Sequence, residues 1–270
     1  MCTVTFLARK RGYALAMNRD EKRARPKGLP PCERKIGGHR VVYPSEPGGG
    51  TWISVNDSGM TLALINWYSV GRCPAARAIS RGDIIPSISS AQCPHQVDVA
   101  LAKLALRRIK PFRLVGIFPG PRTIVEWRWD LTELGRQEHQ WRNQQWISSG
   151  FDEPTAQQLR SRTFERFLAQ VSAGTPGWLR RLHSSHCPES GPFSTCMHRD
   201  DAATVSFTQI VVSPAAASLQ HVCGAPCANP HASRHFLKVH RACGHDAPDC
   251  SATGAQVLLP PARKSNDPKP

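Results

Sequence analysis

The sequence lacks any apolar run long enough to cross a lipid bilayer. Its longest runs, such as residues 60–67, are far shorter than the roughly 20 residues that a transmembrane helix needs. The first eleven residues lack the apolar region of a secretory signal peptide, and no internal repeat recurs at a fixed period. We therefore expect a cytoplasmic globular protein with no transmembrane segment.

Acidic residues are also scarce. The 20 Asp and Glu residues face 35 Lys and Arg residues, so the formal net charge is +15. Such a charge favours anionic ligands, peripheral contact with acidic membranes, or nucleic acid. No recognised nucleic-acid-binding motif accompanies the basic stretch 9–40, so we expect no specific nucleic-acid partner. Ten cysteines are present, but nothing indicates export, and we expect reduced thiols. The sequence gives no indication of the oligomeric state.

Several segments carry clear secondary-structure patterns, and 40% of the residues are hydrophobic, enough for a substantial core. Alternating or β-branched runs predict a hairpin and four further strands, at residues 3–8, 13–17, 52–55, 60–66, 123–129 and 203–212. Apolar spacing predicts helices over 96–109 and 154–171, the second capped by Asp152. Prolines and glycines predict irregular chain before Thr51, and residues 231–270 are expected to form a disordered tail.

Cys2 is the most informative single residue. It directly follows Met1, and its small side chain permits removal of the initiator, which would place a thiol and an α-amine on one residue. An α-amine has an ordinary pKa of about 7.7–8.0, so it can accept the thiol proton near neutral pH. The alternative is that Cys2 is simply a small residue at the start of a strand.

Such a nucleophile needs a group that orients the amine and a donor for the oxyanion. Asp20 ends the second strand of the hairpin, close to the start of the first, and Asn66 ends another strand. Two ordinary interpretations remain open: Asp20 and Arg19 could form a surface salt bridge, and Asn66 could be a turn amide.

Further motifs then make the sequence recognisable. The chain resembles the Asn-Arg-Asp-Glu (NRDE) family, which includes transport and Golgi organisation protein 2, over roughly residues 1–230. The resemblance is carried by Met1-Cys2-Thr3, Asn18-Arg19-Asp20-Glu21, Gly49-Gly50-Thr51-Trp52, Val55-Asn56 with Gly59, Ala63-Leu64-Ile65-Asn66, Ser194-Thr195-Cys196-Met197-His198, residues 201–206 and Gly224-Ala225-Pro226-Cys227.

That family is distantly similar to the choloylglycine hydrolase and penicillin V acylase group of N-terminal-nucleophile (Ntn) hydrolases. The resemblance implies an α+β fold, an Ntn-hydrolase-like αββα sandwich of two antiparallel sheets flanked by helices, in a domain spanning 1–230. It implies catalytic roles for Cys2, Asp20 and Asn66. The candidate binding residues are Asn18, Arg19, Trp52 and His198.

The chain departs from the amidase pattern at three places. Met17 stands where the amidases have an arginine, and no asparagine occurs near residues 148–149, where they have a second one. Their final catalytic arginine has no clear counterpart, although Arg199 lies in that region.

The resemblance implies cleavage or transfer of an acyl group at an amide or thioester through Cys2, with no required cofactor. The alternative that it implies is non-enzymatic binding and trafficking of haem or acyl-CoA-like hydrophobic anions, with a role in Golgi and secretory organisation in eukaryotic relatives.

Three other patterns have ordinary interpretations. Residues 49–52 lack the Gly-Lys-Ser/Thr ending of a phosphate loop, so we expect a tight turn that seats Trp52 in the core. His198, a lone histidine, is more often structural than catalytic. Four residues recur every four positions like zinc ligands, but their central spacing is too short for a zinc finger, and we expect no metal site: Cys223, Cys227, His231 and His235.

Overall fold

The computed structural model describes residues 2–71, 73–74, 78–228 and 231–240. Within this part, the strands in chain order are β1 (Cys2–Ala8), β2 (Tyr13–Lys22), β3 (Leu29–Ile36), β4 (His39–Ser45), β5 (Ile53–Asn56), β6 (Thr61–Asn66), β7 (Phe112–Phe118), β8 (Thr123–Trp129), β9 (Leu134–His139), β10 (Gln144–Ser148), β11 (Ala202–Val212), β12 (Ala216–Cys223) and β13 (Ala232–Lys238). The α-helices are α1 (Ile84–Ile88), α2 (Pro94–Ala102), α3 (Glu153–Leu168) and α4 (Pro176–His183).

These strands form two antiparallel sheets. The first has the order β10-β1-β2-β11-β12-β13, and the second runs β3-β4-β5-β6-β7-β8-β9. β1 and β2 therefore lie beside each other near one edge of the first sheet, whereas β6 lies inside the second. The start of β1 therefore belongs to the first sheet, and the end of β6 belongs to the second sheet, which faces it.

Side-chain alternation explains the layers. Along β1, Val4 and Phe6 join the core between the sheets, whereas Leu7 packs with α4 on the outer face. The outer face of the second sheet packs against the apolar residues of α1 and α2 in the same way. The expected α+β sandwich of two antiparallel sheets flanked by helices is confirmed.

Several local expectations are confirmed as well. The predicted strand over 123–129 matches β8, and the side chain of Asp152 caps α3 by accepting a hydrogen bond from Thr155 N at 3.2 Å. Trp52 lies in the core between the sheets. Asn56 Oδ1 accepts a hydrogen bond from Ser58 N at 3.1 Å, which closes the predicted turn between β5 and β6.

Other expectations were wrong. The helix predicted over 96–109 ends at Ala102, and a short 3-10 turn follows. The supposedly irregular chain before Thr51 contains β3 and β4, because Pro30 lies on an edge strand whose pairing is interrupted between Leu29 and Cys32.

The boundary expected at residue 230 also needs correction. Residues 231–240 are described, and β13 pairs with β12 along its length, so the sheet continues into the segment assigned to the tail. Residues 241–270 of that predicted tail lie outside the described residues. No helix in the part that the structure describes is long and apolar enough to cross a membrane.

Candidate functional site

Cys2 lies opposite two polar residues in the first sheet. In the antiparallel register it pairs with Arg19 on β2 and with Ser148 on β10. Directly opposed residues of antiparallel strands present their side chains on the same face of the sheet. The buried Cys2 thiol is therefore flanked by Arg19 and Ser148 on the face that looks towards the second sheet.

Asp20 follows Arg19 along β2, so its side chain points to the opposite face of the sheet. There Asp20 Oδ1 accepts a hydrogen bond from Thr204 Oγ1 at 2.7 Å, and Arg160 Nη1 lies 3.3 Å from Oδ2. The same Arg160 nitrogen donates to Thr3 Oγ1 at 2.7 Å. The carboxylate and the thiol thus lie on opposite sides of the β1–β2 backbone.

One cavity of about 390 Å³ is lined by five of the seven predicted site residues: Cys2, Arg19, Asp20, Trp52 and Asn66. The fold therefore brings together residues that are up to 64 positions apart, from Cys2 to Asn66. It does so because the start of β1, the last part of β2 and the end of β6 lie at the same end of the sandwich.

Asn66 is half-buried at the end of β6. Its Nδ2 donates a hydrogen bond to Tyr68 Oη at 2.6 Å. A side-chain amide has two N–H donors, so one of them stays available for a ligand oxygen. The role of Asn66 as an oxyanion donor stays a prediction.

Arg19 belongs to a network of charges at the cavity mouth. It forms ion pairs with Glu46 and with Glu21, the latter at 3.4 Å, and its guanidinium lies 4.5 Å from the ring centroid of Trp52. Arg25 binds the same two carboxylates. The alternative of an Arg19–Asp20 salt bridge is wrong, because within the described part of the chain Arg19 pairs with Glu21 and Glu46, and Asp20 pairs with the buried Arg160.

The environment of the thiol favours its neutral form. Burial raises the pKa of Cys2, and the negative charge of Asp20 acts in the same direction. The positive charges of the N-terminus and of Arg19 lower this pKa but do not outweigh burial. Burial also lowers the pKa of Arg81, which lines the same cavity.

Asn18 and His198 lie outside this cavity lining. Asn18 Nδ2 donates to the carbonyl oxygens of His183 and Thr195, at 2.9 and 2.7 Å, and so fixes two segments against β2. His198 lines a neighbouring cavity of about 330 Å³, which shares Arg19 with the first. Neither residue is placed to touch a ligand bound beside Cys2.

Residues 1–126 match the family Transport and Golgi organisation 2. The matched part contains Cys2, the Asn-Arg-Asp-Glu motif at 18–21 and Asn66, so the predicted resemblance is confirmed over these residues. The comparison with curated proteins found no match.

Similar solved structures extend over most of the chain. Penicillin V acylase from Agrobacterium tumefaciens is 11% identical, with a TM-score of 0.51 over 86% of this chain and 84% of that one. A mutant of conjugated bile acid hydrolase from Clostridium perfringens is 10% identical, with a TM-score of 0.49 over 87% of this chain and 96% of that one. Because the acylase is only 11% identical in sequence, its similarity shows that the chain has the Ntn-hydrolase fold and nothing more.

Sequence reasoning missed Arg160 and Ser148, and both lie beyond the segment that matches Transport and Golgi organisation 2. Arg160 is completely buried, and it falls with Ala156 and Phe164 on the apolar face of α3. An arginine on such a face was the signal that could have revealed it.

Ser148 is the second missed residue. Its hydroxyl is buried and finds no hydrogen-bond partner among the described residues, although it lies directly across from Cys2. The amidase resemblance pointed to this position as lacking an asparagine. Arg199, considered for the last catalytic arginine, pairs with Asp201 at 2.8 Å and stacks over Phe151 instead.

Proposed function

We propose that this protein cleaves or transfers acyl groups at an amide or thioester, with Cys2 as an N-terminal nucleophile after removal of Met1. The observation that carries the proposal is that Cys2 and Asn66 line one cavity, while Asp20 lies on the neighbouring strand β2 with its carboxylate on the other face of the sheet. The reaction requires no cofactor, and we expect it to take place in the cytoplasm.

The positions of the thiol and the carboxylate assign them different tasks. The Cys2 thiol faces the cavity, whereas the Asp20 carboxylate lies on the other face of the sheet and is held by Arg160 and Thr204. From that face Asp20 orients the α-amine, which belongs to the backbone between the two faces. The free amine, with an ordinary pKa of about 7.7–8.0, then serves as the base.

The reaction proceeds in two steps. The thiol gives its proton to the α-amine while the sulfur attacks the carbonyl carbon, and the oxyanion accepts hydrogen bonds from Asn66 Nδ2 and Ser148 Oγ. The ammonium then protonates the leaving nitrogen or sulfur, and the scissile bond breaks to leave an acyl thioester on Cys2. Water or an acceptor nucleophile releases the acyl group and restores the thiol.

The cavity lining suggests the kind of acyl compound. Trp52 and Leu64 offer apolar surface, whereas Arg81 and Lys110 add positive charge without forming an ion pair within the described part of the chain. A substrate with an apolar acyl chain and an anionic group satisfies both features. The net charge of +15 favours the same ligands and peripheral contact with acidic membranes.

The test is to expose the full chain to a panel of N-acyl amides and acyl thioesters, with and without a carboxylate, and to locate the adduct by peptide mapping. We expect an acyl group on Cys2 and none in Cys2→Ala. Cys93→Ala is the matched control, because Cys93 is also buried but packs near α2. Adducts confined to other cysteines would contradict the proposal.

A second candidate is binding and transfer of haem or acyl-CoA-like hydrophobic anions without turnover. It is favoured by the burial that raises the pKa of the Cys2 thiol, because a neutral thiol is a weak nucleophile. In eukaryotic relatives this activity would connect to Golgi and secretory organisation. Ligand affinity that survives in Cys2→Ser, with no turnover in either form, would favour this candidate over catalysis.

A further inference from the structure

Four potential metal ligands converge on one side of the first sheet. The ligand atoms of His186, Cys196, His198 and Cys227 all lie within 4.8 Å of one another. They come from three separate segments: the loop after α4, the chain just before β11, and the short 3-10 turn after β12. Such convergence from distant parts of the chain does not follow from local structure.

The separations fit a tetrahedral metal. His198 Nε2 lies 3.6 Å from Cys196 Sγ and 3.4 Å from Cys227 Sγ. A tetrahedral Zn²⁺ with Zn–S of about 2.3 Å and Zn–N of about 2.0–2.1 Å requires N···S separations of about 3.6 Å. Both sulfur atoms therefore lie at nearly the distance from His198 Nε2 that binding to one zinc ion requires.

A disulfide between the two cysteines explains less of the geometry. Both cysteines are free, and a disulfide would give no reason for His198 to contact both sulfur atoms or for the ring of His186 to lie 5.0 Å from that of His198. Two thiolates and two imidazoles, in contrast, form one of the usual ligand sets of structural zinc sites.

We propose that His186, Cys196, His198 and Cys227 form a tetrahedral zinc site. With four protein ligands the coordination is closed, so the metal is structural and does not act on a substrate. Cys196 is buried, His198 and Cys227 are half-buried, and His186 is exposed, which leaves a route for the ion to enter.

Backbone hydrogen bonds already hold two of the ligands in place. Cys196 N donates to Ser185 O at 3.0 Å, and His198 N donates to Gly191 O at 3.3 Å. These bonds tie the chain before β11 to the loop after α4. Outer contacts of this kind orient metal ligands and reduce the cost of assembling the site.

Zinc binding would also stabilise the hydrogen bonds that hold the Asp20 carboxylate. Met197, between two of the ligands, donates its backbone N–H to Thr204 Oγ1 at 2.8 Å, and that hydroxyl donates to Asp20 Oδ1 at 2.7 Å. The site is nevertheless independent of whether Cys2 is catalytic, because none of its ligands lines the Cys2 cavity.

This proposal departs from the expectation of no metal site, which was based on spacing along the chain. Of the four residues considered there, only Cys227 belongs to the cluster. Cys223 lies on β12 and His235 on β13, opposite Leu219. The remaining ligands are 29 to 41 residues away from Cys227, counted from His198 and His186.

The test uses the full chain, purified under reducing conditions and freed of metal with a chelator. Titration with Co²⁺ is expected to give the visible bands of tetrahedral cobalt and thiolate-to-cobalt charge transfer, saturating at one ion per chain. Metal analysis of the untreated protein is expected to find zinc. Cys227→Ser should lose the charge-transfer intensity of one thiolate, whereas Cys223→Ser, a control on neighbouring chain, should leave the spectrum unchanged.

His186→Gln serves as the second variant, because His186 is exposed and its replacement leaves the core intact. Loss of an outer-shell partner already costs about 10–100-fold in metal affinity, so loss of this ligand is expected to weaken Co²⁺ binding at least as much. A chain that binds no Co²⁺ when reduced, or binds it equally well in Cys227→Ser and His186→Gln, would overturn the proposal. A native Cys196–Cys227 disulfide in the untreated protein would overturn it too.

Discussion

Arg160 and Asp20 form a completely buried ion pair, with Arg160 Nη1 3.3 Å from Asp20 Oδ2. Arg160 also donates to the carbonyl oxygens of Pro192 and Phe193. The pair joins α3 to the strand that carries the Asn-Arg-Asp-Glu motif. It therefore couples the stability of the fold to the position of the carboxylate that we assign to the Cys2 amine.

Replacing Arg160 with Met should lower the free energy of unfolding by about 3–5 kcal/mol, because it removes a buried positive charge that offsets the charge of the Asp20 carboxylate. Arg162→Met, an exposed arginine on the same helix, is the control and should change it little. Urea unfolding measures both. Adding Asp20→Asn to Arg160→Met should recover part of the loss, and a double variant no more stable than the single one would contradict this account.

Ser148→Ala should separate stability from activity. The buried Ser148 hydroxyl has no hydrogen-bond partner among the described residues, so its removal should leave the free energy of unfolding unchanged or slightly increased. If this hydroxyl stabilises the oxyanion, acylation of Cys2 should slow by about 10²–10³-fold. Ser206→Ala is the matched control, because the Ser206 hydroxyl is also buried and has no partner in the described part of the chain, but lies across from Arg19. Equal acylation rates in both variants would remove Ser148 from the mechanism.

Two buried histidines should make the fold sensitive to mild acid. Burial, helped by the charge of Arg160, lowers the pKa of His183 from 6.5 to about 3. Burial, helped by Arg19, lowers that of His221 to about 4. The unfolded chain binds these protons more tightly, so the stability is complete above about pH 6.5 and falls as the pH decreases towards the folded-state values.

At pH 5.5 each of these histidines should cost about 1.4 kcal/mol relative to neutral pH. Urea unfolding of His183→Gln at pH 7.5 and 5.5 should therefore show a smaller difference than the wild type does. His231→Gln, an exposed control, should retain the wild-type difference. An unaltered pH dependence in His183→Gln would show that His183 is not the group responsible.

The wall of the Cys2 cavity depends on two glycines in close contact. A Cβ on Gly82 would lie 3.1 Å from Gly50 Cα, and backbone atoms cannot easily move away. Gly82→Ala should lower the free energy of unfolding by about 1–3 kcal/mol and slow labelling of Cys2 by displacing Arg81. Gly48→Ala should do neither, because no atom of the described residues lies within 4 Å of a Cβ added there. An unchanged free energy of unfolding in Gly82→Ala would show that the backbone at this contact moves easily to accommodate a Cβ.

Much of the fold was predictable because local sequence patterns indicate it. The alternation of apolar and polar residues predicted the bounds of β8 and β11 to within one residue, and the Asp152 cap predicted the start of α3. β3 was missed because its prolines indicate irregular chain, and only the pairing with β4 shows that it is an edge strand. The helix over 96–109 was drawn too long because the apolar spacing continues past Ala102.

The residues of the candidate site were predictable where they belong to sequence motifs. They were not predictable where they depend on contacts between distant parts of the chain. Cys2, Asp20 and Asn66 could be assigned through resemblance, whereas Arg160 reaches Asp20 across 140 positions and leaves only a weak local signal. The proposed zinc ligands were hidden for the same reason. Cys227 meets Cys196 and His198 because the antiparallel strands β11 and β12 return the chain to the same end of the sheet.

The mass of the intact protein, recorded before and during reaction with an acyl thioester, tests the central claim most directly. The account predicts a mature chain without Met1 that gains one acyl group on Cys2 and loses it as product forms, whereas Cys2→Ala gains none. A mature chain that retains Met1, or a Cys2→Ala variant that turns over substrate at the wild-type rate, would contradict it.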